Sequence, residues 1–259
     1  MAKHLEENAP KKKGIGLVHL IVILIIGAVA YCIIVFNRSN EYYNYDYSKI
    51  INEIEVDENQ VTEETPERVL KVRTLKSNVN EDIVGWVEIE NTEINFPVVQ
   101  AKDNKYYLTH TYIKEDSKDG AIFLDKDYDW NLPSSNFLIY GHNNLNGKMF
   151  QELLKYESES YYKEHPTIRF TTFQEDADYE IIAVFKSRVF YEDEQDVFRY
   201  YKFINAENEE DYNNYVSESK KASLYDTGKT AEFGEQLLTL STCEYSQEDG
   251  RFVIVAKKK

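Results

Sequence analysis

Leu237-Leu238-Thr239-Leu240-Ser241-Thr242-Cys243 and Arg251-Phe252-Val253-Ile254-Val255-Ala256 lie near the end of the chain, joined by the polar loop 244–250. Both runs are short, apolar and rich in β-branched residues, which reads as two strands, 236–241 and 252–256. If they pair, Cys243 and Arg251 meet at one rim. Working back toward the N-terminus, strand-like segments recur at 179–189, 167–170, 136–140, 121–124, 94–99 and 84–89. The last two are separated by Glu90-Asn91-Thr92, a hairpin signal. Eight short strands in one domain predict a mainly β fold, a closed or nearly closed eight-stranded barrel, rather than an alternating α/β sheet. Peripheral helices are expected from Pro66 to Lys76, with Thr65 as N-cap, and at 149–156, extendable to Lys163. Another is expected at 207–222, with Tyr212, Tyr215 and Val216 as its buried stripe.

The N-terminal part reads differently. Residues 15–36 are apolar apart from His19, long enough as a helix to cross a hydrocarbon core of about 30 Å. A cleaved signal peptide would have a shorter core and a small-residue cleavage site, so an uncleaved anchor is favoured. Lys3, Lys11, Lys12 and Lys13 precede the run and only Arg38 closely follows it, which predicts a cytoplasmic N-terminus. The organisation expected is a cytoplasmic tail at 1–14, a transmembrane anchor at 15–36 and an acidic, Tyr-rich stalk at 37–65. One domain of 194 residues follows at 66–259. The expected location is the plasma membrane, single-pass, with the C-terminal domain extracellular.

The chain carries a net charge of −16, of which 37–259 contribute −18. So acidic a domain argues against nucleic-acid binding. No ligand cluster calls for a metal or other cofactor. With Cys32 inside the apolar run, Cys243 has no partner for a disulfide within the chain, and a lone thiol in an oxidising compartment needs a reason to persist. A cysteine nucleophile requires a proton carrier and donors for a developing oxyanion. Of the histidines outside the N-terminal region, His142 ends the apolar strand Asn136-Phe137-Leu138-Ile139-Tyr140. His165 stands in a charged segment, and His110 lies among Thr109, Thr111 and Tyr112. Residue chemistry alone leaves alternatives open. Cys243 reads as a nucleophile or as a buried small apolar residue, and Arg251 as an oxyanion donor or as a rim ion pair to Glu248 or Asp249.

Thr239-Leu240-Ser241-Thr242-Cys243, with Tyr140-Gly141-His142 and Arg251, resembles the catalytic pattern of sortases, cysteine transpeptidases anchored in Gram-positive membranes. Asp82-Ile83-Val84-Gly85-Trp86, Phe96-Pro97-Val98-Val99-Gln100, Asp103-Asn104-Lys105-Tyr106-Tyr107-Leu108 and Gly120-Ala121-Ile122-Phe123-Leu124-Asp125 are similar to class B members, as is Gly147-Lys148-Met149-Phe150. The resemblance implies a closed eight-stranded barrel with an N-terminal helix and an extra helix between the sixth and seventh strands. It implies Cys243 as nucleophile, His142 as acid and base, and Arg251 as oxyanion donor beside the backbone N–H of Glu244. Asn104, Leu108, Tyr140, Ser241 and Glu244 match substrate-groove positions, and Val197 and Phe198 are expected to face the same groove. The implied partners are secreted proteins with a C-terminal sorting signal and an amine of peptidoglycan or its lipid-linked precursor. No cofactor is implied. A pilin-polymerising sortase, a hydrolytic cysteine protease and a non-catalytic membrane-tethered binding domain are the competing functions.

Overall fold

The computed structural model of the protein describes residues 24–32, 47–56, 64–132, 134–144 and 148–259. Residues 24–32 form a helix, α1. The compact unit that concerns function spans Tyr47–Lys259. Its helices are α2 (Ser48–Glu53), α3 (Glu67–Asn78), α4 (Glu159–Glu164) and α5 (Glu209–Ala222). Its strands are β1 (Ile83–Glu88), β2 (Asn95–Val99), β3 (Ile122–Leu124), β4 (Asn136–Tyr140), β5 (Thr167–Thr172), β6 (Asp176–Arg188), β7 (Leu237–Cys243) and β8 (Gly250–Lys258).

Hydrogen bonding orders the strands β1-β2-β3-β4-β7-β8-β6-β5, and β5 pairs back onto β1 to close the barrel. The β2–β3 and β4–β7 ladders are parallel, and the other six are antiparallel. The eight expected strands are all present, and the closed mixed barrel is the expected fold. A β-bulge between Ile83 and Gly85 explains the burial of β1. Ile83 and Trp86 belong to one apolar cluster and Val84 and Val87 to the other, because the extra residue shifts the alternation of faces.

α5 carries the expected buried stripe of Tyr212, Tyr215 and Val216. Asn208 caps it, its side-chain oxygen accepting from the Asp211 N–H at 3.0 Å. The expected helix at 149–156 is a 3-10 helix, Phe150–Glu157, followed by the separate α4. α3 begins at Glu67 with Pro66 as its N-cap.

Two expectations for the N-terminal third are corrected. The folded unit starts at Tyr47 rather than at 66. Ile51 of α2 is buried, and the Tyr47 ring packs edge-on against Phe96 at 5.3 Å, so this part of the expected stalk belongs to the core. Among the described residues, no helix is long and apolar enough to cross a membrane. That finding overturns the single-pass anchor, and with it the plasma-membrane location and the extracellular placing of the domain. The rest of 15–36, the tail at 1–14, and 37–46 and 57–63 of the stalk lie outside the described residues.

Candidate active site

β4 and β7 run parallel, with Tyr140 level with Ser241. Beyond that pair the two chains stay tied. The Gly141 N–H donates to the Ser241 carbonyl at 3.1 Å, and the Thr242 hydroxyl donates to the Gly141 carbonyl at 2.7 Å. The Asn143 side-chain amide donates to the Cys243 carbonyl at 2.9 Å. His142 and Cys243 are thus held at the same end of adjacent strands. On the other side of β7, Cys243 is in register with Arg251 of β8. Three residues distant in sequence or separated by a loop reach one rim because three neighbouring strands end there.

A groove of about 250 Å³ opens at this rim and is lined by His142, Cys243 and Arg251. Cys243 is a free, half-buried thiol. The His142 Nε2 lies 2.8 Å from the Leu108 carbonyl oxygen, so a main-chain acceptor orients the ring. Gly120 makes this possible. Its φ is +62°, and a Cβ there would stand 3.0 Å from His142 Cδ2 and 2.5 Å from the Tyr107 carbonyl oxygen. Asp119, just before it, is buried; desolvation raises its carboxyl above the usual range, opposed by the charges of Lys118, Lys148 and His142.

Arg251 donates from Nη1 to the carbonyls of Asp249 at 3.1 Å and Gly250 at 2.8 Å. Its described partners are thus main-chain oxygens rather than the carboxylates of Glu248 or Asp249. The Glu244 N–H also donates to the Gly250 carbonyl, at 2.9 Å. Both groups expected to serve an oxyanion therefore share one acceptor in this state. His110 stacks on Tyr106 with ring centroids 4.0 Å apart, and His165 faces the Glu90 carbonyl, so neither is a rival to His142 in the groove.

Of the expected groove residues, Asn104, Leu108, Tyr140 and Ser241 line it. Glu244, Val197 and Phe198 are not among its lining residues. Glu244 is buried and turns its carboxylate into its own loop, onto the Ser246 N–H and hydroxyl. Phe198 packs instead against Phe185 and Tyr215. Their places are taken by Val189, Tyr200 and Tyr201, and the Tyr200 hydroxyl meets the Ser241 hydroxyl at 2.7 Å. Nothing in the sequence between β6 and α5 distinguishes these residues from their aromatic neighbours.

A parallel strand pair thus brings Cys243 and His142 to one groove of a closed barrel, with Arg251 on the next strand. The chain matches the Sortase domain over residues 87–259. It is 34% identical to sortase B of Listeria monocytogenes over 69% of this chain and 70% of that protein. It is 27% identical to sortase B of Staphylococcus aureus over 95% and 97% of the two chains. The Staphylococcus aureus sortase B–substrate complex superposes with a TM-score of 0.71 at 26% identity, covering 86% of this chain and 98% of that one. The chain belongs to the sortase family and is similar to its class B members. Its general activity is that of a cysteine transpeptidase of cell-wall sorting.

Proposed function

We propose that the groove binds the C-terminal sorting motif of a protein substrate and that Cys243 cleaves the peptide bond after its threonine. The observation that carries this reading is the convergence of Cys243, His142 and Arg251 on one groove from three adjacent strand ends. The Cys243 thiolate attacks the threonine carbonyl carbon, and the carbon–sulfur bond forms as negative charge gathers on the oxygen. Collapse breaks the carbon–nitrogen bond, and His142 gives its proton to the departing amine. An amine of peptidoglycan or its precursor then attacks the thioester. The new amide forms, sulfur leaves, and His142 takes the surplus proton, one imidazole in two roles.

Arg251 stabilises the oxyanion from a guanidinium that stays charged at working pH. Using the Glu244 N–H as second donor requires its bond to the Gly250 carbonyl to open, so this donor is recruited on substrate binding. A neutral main-chain acceptor, rather than a carboxylate, orients the His142 ring for both roles.

The test uses a fluorogenic peptide library with one fixed threonine, with and without triglycine or hydroxylamine as acceptor. Amine-dependent product that disappears in Cys243→Ala is the expected result. Amine-independent cleavage would make the protein a hydrolytic protease, and an absence of turnover at any peptide would leave a binding module.

A further inference from the structure

Asp125 follows β3 and is only 3% exposed, yet its partners are hydrogen-bond donors rather than cations. Its Oδ2 accepts from Asn104 Nδ2 at 2.8 Å and from the Tyr140 hydroxyl at 3.0 Å. Its Oδ1 accepts from the Asp127 N–H at 2.9 Å. Both side chains that Oδ2 holds line the groove. Burying an ionised carboxylate costs several kcal/mol unless its lone pairs are satisfied, so a carboxylate kept under a groove by neutral donors needs a reason.

Asn104 supplies that reason. Its Oδ1 accepts the Lys126 N–H at 2.8 Å while Nδ2 points at Asp125. The amide is clamped at both ends, which forbids the flipped orientation. What it has left is the second N–H of Nδ2, which no described residue accepts. Tyr140 is fixed in the same way. Burial, reinforced by the charge of Asp125, holds its phenol far above the ordinary range, so it remains a donor to that carboxylate at any workable pH.

We propose that Asp125 is a positioning residue of the substrate groove: its carboxylate locks Asn104 and Tyr140 so that the groove offers an amide N–H, selecting a substrate with a carbonyl or carboxamide oxygen at that point. The inference rests on the reading of the groove as the sorting-motif site. The carboxylate touches no reacting atom, and its effect runs through the two side chains it holds. An asparagine at 125 has one acceptor oxygen for three donors, so at least one of the three must face an NH2 group.

The experiment measures steady-state kinetics on the best peptide from the library above, with triglycine as acceptor. Asp125→Asn should raise KM about 10-fold and leave kcat within about 3-fold, since a lost orientation weakens binding without touching the chemistry. Alkylation of Cys243 by iodoacetamide should proceed at the wild-type rate. In an Asn104→Ala/Tyr140→Phe background, Asp125→Asn should add no further KM increase. A purely structural role would keep its full effect there, and that outcome overturns the proposal, as does an unchanged KM in the single variant. If Asp125→Asn does not fold, Asn104→Ala becomes the deciding variant: it must raise KM with kcat retained, and an unaltered KM overturns the proposal. A wild-type protein with no Cys243-dependent product would sink the reading of the groove and this inference together. An active wild type with an indifferent Asp125→Asn sinks the inference alone.

Discussion

The Asn143 side chain donates to the carbonyl oxygen of Cys243 at 2.9 Å, and the Asn143 carbonyl in turn accepts the Tyr245 hydroxyl at 2.9 Å. One residue, adjacent to the histidine of the groove, thereby fastens both the thiol-bearing strand end and the loop beyond it. The Asn143 Oδ1 is buried with no partner among the described residues, so the amide is kept for its donor.

Replacing Asn143 should therefore loosen the thiol relative to the imidazole. Asn143→Ala is expected to lower kcat about 10-fold with a smaller change in KM, the equivalent of one buried hydrogen bond of about 1–2 kcal/mol. Asn143→Asp should be worse, since it sets a carboxylate against the Cys243 carbonyl. Transpeptidation kinetics on the two variants check both the size and the order.

Arg251 reaches two main-chain carbonyls with one nitrogen, and its side chain is one of those that line the groove. Lysine keeps the charge but not the fork. Arg251→Lys should lose about 100-fold or more in kcat, the scale of one oxyanion donor. Equal kcat in the two proteins would remove Arg251 from the chemistry and return it to the rim.

Gly120 is required beneath His142. In Gly120→Ala the new Cβ would meet the Tyr107 carbonyl oxygen at 2.5 Å and the Leu108 carbonyl oxygen at 2.9 Å, at a φ of +62°. The expected loss is about 1–3 kcal/mol of stability from strain and overpacking, with activity falling more than a thermal shift alone explains. Thermal melts beside kinetics below the transition separate the two effects.

Glu152 gives a signed pH effect. Burial acts to raise its carboxyl, but Lys155, the Glu93 N–H and the Tyr161 hydroxyl outweigh it and hold it below the ordinary value of 4.5. A carboxyl lowered in the folded state stabilises fully above its unfolded value. That contribution drains away as pH falls through the lower folded value. Glu152→Gln should thus be less stable than wild type at pH 7 and converge on it below pH 4.5, read from denaturant midpoints across that range.

The strands were the legible part of this sequence, for a physical reason. β4, β7 and β8 are mainly apolar runs buried on both faces, and their ends bracket Tyr140, Cys243 and Arg251 within two or three residues. α2 was hidden because Ile51 is its one buried side chain among the described residues, in a polar, Tyr-rich stretch, and Tyr47, just before it, packs on Phe96, far away in sequence. Between β6 and α5 no periodicity operates, so the residues facing the groove could not be separated from those facing the core. Phe198 went inward and Tyr200 and Tyr201 took the wall. The Leu108 carbonyl on His142 is a main-chain contact, which side-chain identity does not encode.

The seam between β4 and β7 also bears on when the protein becomes reactive. Asn143 and Cys243 are 100 residues apart, and β5, β6 and α5 are all laid down between them. Joining ends so distant costs chain entropy before any contact returns it, which makes this parallel pairing a late event in folding. An unfinished chain, or one opened along this seam, carries a thiol with no imidazole beside it. Under the proposed function, acyl transfer is thereby confined to barrels that have already closed.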